Sequence, residues 1–217
     1  MKIAVIGATG LVGNASVKEL VKRGHEVIAL ARNTEKVLTH ELVTARSVDV
    51  LSADFVKELD NVDAVISAFN AGWDNPNLAV DFTKGYVAIL AAAKEAQVPY
   101  LLVVGGAGSL YLAPGLQLVD TPDFPSEVYP GANAARKLLS NLQMRRDVNW
   151  SFVSPAAMFA VAPVSHEAKG HYRIGQDDVL LTEEGTPADI TLADLASALV
   201  DDVEKRAHLF QRFTVAN

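Results

Sequence analysis

A glycine-punctuated turn, Gly7-Ala8-Thr9-Gly10-Leu11-Val12-Gly13, constrains this chain more than any other feature. It sits directly behind the apolar run Ile3-Ala4-Val5-Ile6 and ahead of an apolar/polar helical run that reaches Arg23. A buried strand, a tight turn and a helix start together make the physical apparatus for holding a pyrophosphate. Gly7 can take the tight turn, Gly10 lets the backbone approach a phosphate closely, and Gly13 lets the helix pack against the strand. The helix N-terminus adds unpaired N–H groups and a partial positive charge. Three glycines alone fit many ordinary turns; the strand before and the helix after give these ones their meaning.

The rest of the chain is consistent with a globular α/β fold. Its 217 residues suffice for one domain with a proper core, half of them are hydrophobic and 21% are charged. The formal net charge is −7, which supplies no basic footprint for nucleic acid or an anionic membrane. With no cysteine there is no disulfide, thiolate nucleophile or Cys-ligated metal. The N-terminal apolar stretch meets glycines too soon for a signal peptide, and apolar runs such as Tyr86–Ala93 fall short of the roughly 18 residues of a membrane span. The expectation is a soluble cytoplasmic protein.

Strands and helices alternate. Strands are expected at Ile3–Ile6, Glu26–Ala31, within Leu42–Val50, at Ala64–Ala68, Leu101–Val104 and Ser151–Val153. Helices are expected at Leu11–Arg23, closed by Gly24, at Thr34–Leu38, Ser52–Leu59, about Asn77–Gln97 and through much of Ser126–Arg146. This order predicts a doubly wound parallel sheet with helices on both faces, a Rossmann-type arrangement. Residues 156–185 then become short, glycine-marked and irregular, with strands expected at Tyr172–Ile174 and Val179–Thr182. They read as a small C-terminal elaboration on the substrate side of a single domain spanning 1–217. An amphipathic helix at Leu192–Lys205 and a strand at Phe213–Val215 complete the chain.

A dinucleotide site that prefers NAD places Asp or Glu at the end of the second strand, on the ribose hydroxyls. Here that strand ends Ile28-Ala29-Leu30-Ala31-Arg32, with no acid in place. Arg32 offers a guanidinium able to hold a 2′-phosphate in a fork, which favours NADP(H) over NAD(H); the alternative is a solvated surface arginine. Glu35 is near but is expected on the following helix, not in place of the missing acid. Asp49-Val50 closes the third strand, where a carboxylate could accept the adenine amino group and an aliphatic side chain could line its ring. An ordinary strand-end Asp is the other reading. Ser67-Ala68-Phe69-Asn70-Ala71-Gly72 closes the fourth strand with small residues where backbone would pass the cofactor ribose, or forms a plain loop.

These motifs resemble a family. GATGLVG at 7–13, Arg32, SAFNAGW at 67–73, VVGGAGSLYLAPG at 103–115, FVSPAA at 152–157, GHYRIGQDDVLLTEEG at 170–185, ITLADLASALVDDVE at 190–204 and QRFTV at 211–215 are similar to the atypical short-chain dehydrogenase/reductases of the NAD(P)H-binding type. They point to the small single-domain subgroup with NADH-flavin-reductase-like and NAD-dependent epimerase/dehydratase-like members. The resemblance implies phosphate contacts from Thr9, Gly10, Leu11 and Val12, a 2′-phosphate contact from Arg32, and adenine near Asp49 and Val50. It implies that ribose and nicotinamide run past Ala68, Phe69 and Asn70, then Gly105 and Gly106, then Pro155 and Ala156.

Short-chain dehydrogenases carry a Tyr-x-x-x-Lys on the helix after the fifth strand, where the tyrosine exchanges the substrate proton. In this chain Asn133 stands four residues after Tyr129 and four before Lys137, so the pair is absent. That weighs against an alcohol dehydrogenase or a sugar epimerase. It is compatible with flavin or quinone reduction, where hydride enters a conjugated system and solvent supplies the proton.

By the resemblance, Ser109 is a substrate-facing hydroxyl able to donate to a carbonyl oxygen. Tyr111 could stack on an aromatic acceptor or donate a proton; loop hydrogen bonding and half-burial are the plain alternatives. Trp73, Tyr129 and Phe159 are candidate apolar walls of a substrate pocket, with core packing as the competing account of Trp73 and Phe159. The five histidines form no metal signature, and no metal is expected, though His166 could act as an acid over the crevice. Asp177-Asp178 and Asp201-Asp202 read as solvated turn and helix faces, and Asp189 and Asp194 as helix-start charges.

The leading expectation is an NADPH-dependent oxidoreductase that passes hydride to a small conjugated acceptor, with Ser109 and Tyr111 as candidate catalytic groups. The alternatives are a non-catalytic NADP(H)-binding redox sensor and an epimerase/dehydratase-like enzyme. The expected partner is a small-molecule substrate, with neither nucleic acid nor membrane, and the oligomeric state is open.

Overall fold

A computed structural model describes residues 1–159, 161 and 163–217. Strand β1 (Lys2–Ile6) leads through the glycine turn into helix α1 (Leu11–Lys22), which Gly24 ends in a left-handed conformation at φ +79°. Strands β2 (Glu26–Ala31) and β3 (Val43–Ser47) follow, then β4 (Ala64–Ser67), α2 (Leu78–Glu95), β5 (Leu101–Val104), a small hairpin β6–β7 (Tyr111–Ala113 and Leu116–Gln117), α3 (Tyr129–Gln143) and β8 (Trp150–Pro155). The chain closes with β9 (Arg173–Gly175), α4 (Leu192–Lys205) and β10 (Gln211–Ala216).

The main sheet has eight strands in the order β3-β2-β1-β4-β5-β8-β10-β9, parallel except for β9, which pairs antiparallel with β10. After β1 the chain winds outward through β2 and β3, then returns past β1 to β4 and winds the other way. A topological switch therefore lies between β1 and β4, and the loops there part to leave a crevice at the carboxyl ends of the strands. This is the doubly wound Rossmann-type fold.

Side-chain alternation explains the two-layer cover. On one face Ile6, Val65, Val103 and Phe152 pack with Phe82, Tyr86 and Leu139 from α2 and α3. On the other, Val5, Ile66, Leu102 and Phe213 pack with Val17 and Leu20 of α1 and Leu195 and Leu199 of α4. The α4 start is capped: Thr191 Oγ1 accepts the Asp194 N–H at 3.1 Å. Burial pushes against the charge on Asp194, yet N–H donors from Lys169 and Gly170, together with Thr191 and Asn217, hold its carboxyl below the usual range.

Several sequence expectations give way to longer-range contacts. Thr34–Leu38 is a turn, because Asn33 Oδ1 takes the Glu35 N–H at 2.9 Å and opens the backbone there. Val179–Thr182 is not a strand: the isolated bridges here pair Asp178 with Tyr111 and Leu181 with Pro187. Ser52–Leu59 contracts to a 3-10 helix at Phe55–Leu59. Asp202 is a buried acceptor, not a solvated one: Tyr100 Oη and Ser151 Oγ donate to its Oδ2 at 2.8 and 2.9 Å, and His208 Nδ1 lies 2.7 Å from Oδ1. Asp201 joins Tyr172 at 2.6 Å and Arg23 at 2.6 Å, tying α4 to α1. Among the described residues no helix is long and apolar enough to cross a membrane.

Candidate functional site

The crevice begins at the glycine turn. Gly7 stands at φ +78°, and a Cβ there would lie 2.5 Å from the Ala68 carbonyl oxygen; a Cβ on Gly13 would lie 2.1 Å from Gly7 O. Both positions exclude any side chain, the first because β4's end crosses the turn and the second because α1 packs onto it. The turn is moored to β2 as well, since Gly7 and Ala8 both donate N–H to Leu30 O, at 3.0 and 3.1 Å.

Helix α1 opens toward this space. Gly10 precedes it in extended backbone (φ −74°, ψ 169°), and no side chain caps it and no acid sits in its first turn. The first helical bond is Asn14 N–H to Gly10 O at 2.8 Å, so the N–H groups of Leu11, Val12 and Gly13 precede the internal ladder and point out of the helix. Gly10 and Leu11 are exposed and Thr9 is half-buried, whereas the Val12 side chain turns inward against the α1/α4 core. A cradle without Cβ atoms beneath an uncapped helix start fits a pyrophosphate.

Arg32 follows two residues after Leu30, to which the turn is bonded. It is exposed, and among the described residues its guanidinium makes no hydrogen bond or ion pair. Glu35, the nearest carboxylate along the chain, accepts from Asn33 Nδ2 at 3.2 Å. Asp49 is exposed with one oxygen taken by the Leu51 N–H at 2.9 Å, and the adjacent Val50 is buried. Asn14, Lys18 and Lys36 were not singled out from the sequence. They line a groove of about 570 Å³ that begins at Thr9, Gly10 and Leu11 and runs between α1 and α4. His166 lies in this groove too, on the α1/α4 side of the turn.

Further along the strand ends, residues that adjoin in sequence have different surroundings. The Phe69 ring packs inward, edge-on to Tyr86 at 5.7 Å, and it lies so close to α2 that a Cβ on Gly85 would come within 2.3 Å of it. Its backbone, like that of Ala68, remains at the crevice edge. Asn70 Oδ1 is taken by the Gly72 N–H at 2.7 Å. Gly105 is compelled by packing, because a Cβ would meet Phe152 Cζ at 1.9 Å, while a Cβ on Gly106 would meet open space. Pro155 ends β8 and Ala156 follows it, both buried.

The aromatic candidates separate. Trp73 is 61% exposed, with its ring close to Gly131 at the start of α3. Tyr129 is two residues before that glycine and edge-on to Phe124 at 6.5 Å. These two come together at one rim. Phe159 instead packs, half-buried, against the α1/α4-side core.

Ser109 and Tyr111 lie in the segment after β5, whose turn packs on α3: a Cβ on Gly108 would lie 3.1 Å from Ala132 Cβ. Ser109 is 2% exposed, with Oγ accepting from Arg212 Nη1 at 3.2 Å. Tyr111 lines a second groove of about 560 Å³ between the hairpin and Asp178, Val179 and Leu181. On α3, Asn133 Oδ1 accepts from Arg136 Nε and Nη2 at 3.2 and 2.8 Å, and Arg136 continues to Asp120 at 2.7 Å. A permanently charged guanidinium with its carboxylate thus occupies the helix turn between Tyr129 and Lys137. Arg212 was not marked by the sequence, where a lone arginine bordering the run Phe213-Thr214-Val215 was the available signal, and Asp177, expected as a solvated turn residue, is the carboxylate that pairs with it.

The sequence pattern of the NAD(P)H-binding family matches residues 7–206. The chain belongs to that family. The uncharacterized protein YwnB of Bacillus subtilis is 40% identical over 220 residues, covering 100% of this chain and 99% of that one. Among solved structures, a "putative epimerase" from Bacteroides thetaiotaomicron superposes with TM-score 0.88 at 37% identity, covering 99% of this chain and 96% of its own. A "putative NADH-flavin reductase" from Streptococcus pneumoniae superposes with TM-score 0.85 at 36% identity, covering 100% of this chain and 99% of its own. For this NAD(P)H-binding protein a nicotinamide coenzyme is therefore the group to be fitted, and the glycine cradle has the shape and the donors for its phosphates.

Proposed function

We propose that the protein is an NADPH-dependent oxidoreductase that reduces a small, planar, conjugated acceptor of the flavin or quinone class. The observation that carries the coenzyme preference is Arg32, an exposed guanidinium, unpaired among the described residues, at the end of β2 where an NAD site would place an acid. Its five donors match a 2′-phosphate in a bidentate fork, and no carboxylate stands there to repel one. The bound coenzyme would supply a hydride.

The chain's own groups do the rest. The N–H groups at the α1 start hold the dinucleotide, and the small residues Ala68 and Gly106 let it pass. Trp73 and Tyr129, near Gly131, and Tyr111, beside the strap at 178–181, offer flat apolar faces to orient a planar ring and exclude water around it. Asn133 and Arg136 supply no side chain that releases a proton near neutrality, which favours an acceptor whose proton comes from solvent over an alcohol or sugar. The flavin-reductase name carried by the pneumococcal neighbour is in keeping with this reading.

The test is steady-state oxidation of NADPH and of NADH with flavin mononucleotide and with a series of benzo- and naphthoquinones. Turnover with at least one acceptor, at a kcat/KM about tenfold or more higher for NADPH, is the expected result. Tight NADPH binding without turnover across the series would instead identify a coenzyme-sensing protein, and equal use of both coenzymes would remove the role of Arg32.

A further inference from the structure

Behind the acceptor wall the hydrophobic packing is thin. The buried side chains holding the segment after β5 to the sheet are Leu110, Ala157 and Val179, a satellite cluster separate from both main cores. At this place the α3-side face of β8 and β10 is covered by a loop and a strap in place of a helix. One polar side chain reaches all of these pieces. Arg212 projects from β10 on the same face as Phe152 and Ser154, with its side chain 3% exposed.

Its donors join three segments. Nε and Nη2 lie 2.7 and 2.6 Å from Asp177 Oδ1, and Nη2 also donates to Asp177 O at 3.2 Å. Nη1 donates to Ser109 Oγ at 3.2 Å and to Ser154 Oγ at 3.4 Å. A guanidinium has donors only, so Ser109 Oγ acts toward it as an acceptor and its own O–H is left to donate elsewhere. The strap bound through Asp177 also brackets Tyr111: the Tyr111 N–H donates to Asp177 O, and Tyr111 O accepts the Val179 N–H, both at 2.9 Å. A buried cation persists only with such pairing, and its single carboxylate partner, Asp177, is 58% exposed at the outer end.

We infer that Arg212 is a positioning residue for the acceptor: through Ser109 and the Asp177 strap it fixes the wall from Ser109 to Tyr111 at the acceptor end of the crevice. Asp177 is the half of this clamp that reaches solvent. The inference rests on the reading of that end as the acceptor side, but the clamp itself has a readout independent of turnover.

Asp177→Asn removes the charge on the exposed partner, while the amide oxygen and the main-chain carbonyl of residue 177 still accept from Arg212. Hydrogen exchange followed by mass spectrometry on the full-length protein should then show peptides spanning Tyr111 and Val179 exchanging about tenfold faster, with the β8 peptide unchanged. Acceptor KM, read with flavin mononucleotide or a benzoquinone, should rise about fivefold to tenfold, while NADPH affinity stays within about twofold. Adding Ser109→Ala to Asp177→Asn should lower kcat/KM by less than the product of the two single effects, as groups acting as one unit do. Arg212→Lys, which keeps a charge but loses the fork, should fall between wild type and Arg212→Met. Unchanged exchange at Tyr111 and Val179, uniformly faster exchange across the sheet, or NADPH affinity falling in step with acceptor KM would each overturn the inference. Absence of turnover in the wild type would defeat the oxidoreductase reading alone, because the exchange comparison would still decide the clamp.

Discussion

At the coenzyme end of the crevice the working groups are main-chain N–H and carbonyl groups within seven consecutive residues, Gly7 to Gly13. At the proposed acceptor end they are side chains gathered from Ser109, Ser154, Asp177 and Arg212, which span more than a hundred residues of chain. The first needs only a backbone path free of Cβ atoms, and it leaves its donors open for a ligand. The second consumes most of its polar capacity internally, so that a loop with little apolar content stays on the sheet. A pyrophosphate site can thus be carried by a short motif, whereas an acceptor site depends on the register of the whole sheet.

Breaking the coenzyme end should have the largest effect. Gly13→Ala places a methyl within 2.1 Å of Gly7 O, and neither the turn nor α1 can move without disturbing the other. A loss of about 3 kcal/mol in unfolding free energy is expected, at the upper end of overpacking costs, together with loss of measurable coenzyme binding; thermal unfolding and fluorescence titration read the two. An unchanged Kd would mean that the turn is not the phosphate cradle.

Arg32→Ala sharpens the comparison, because it touches affinity and leaves the fold alone. Losing a charge-assisted fork should cost about 2 kcal/mol, or roughly 30-fold in the NADPH Michaelis constant, with NADH little changed. Equal effects on both coenzymes would sink the 2′-phosphate assignment.

The smallest effect is expected in the frame behind both ends. Burial works against the Asp201 charge, but hydrogen bonds from Tyr172, Arg23 and Lys205 overcome it and lower the carboxyl from 3.8 to about 2. A lowered pKa contributes stability that is full above pH about 4 and is lost as pH falls through about 2. Asp201→Asn should therefore be less stable than wild type near neutrality by about 1 kcal/mol or less, and the two acid-unfolding curves should converge toward pH 2. A gap that persists at pH 2 would point to packing in place of charge.

Much of the frame was legible residue by residue. β2 at Glu26–Ala31, β5 at Leu101–Val104 and α4 at Leu192–Lys205 fall where periodicity and flanking breakers put them, because each buries a face whose spacing is written locally. The misread parts are those whose partners lie far away. Asp201 and Asp202 are neighbours on one helix, and which of them turns inward depends on Tyr100 and Ser151 arriving beneath α4. The hairpin at Tyr111–Gln117 has no clear alternation, and its place is set by the strap at 177–179. Phe69, expected beside the ribose, is drawn into the Phe82–Tyr86 cluster because Gly85 leaves room for its ring.

By itself the sequence determined the alternation of the main parallel strands with α1, α2, α3 and α4, the glycine turn that only a Cβ-free path can make, and the absence of a Tyr-x-x-x-Lys pair. These are properties of adjacent residues or of fixed spacings, and local sterics and periodicity suffice to read them. Only the tertiary structure decided which groups stay open at the crevice and which are spent on one another. Arg32 is left free and Arg212 is enclosed, although both are single arginines at the border of an apolar strand. The difference comes from what the rest of the chain brings alongside: solvent and the glycine turn for one, two serines and a carboxylate for the other.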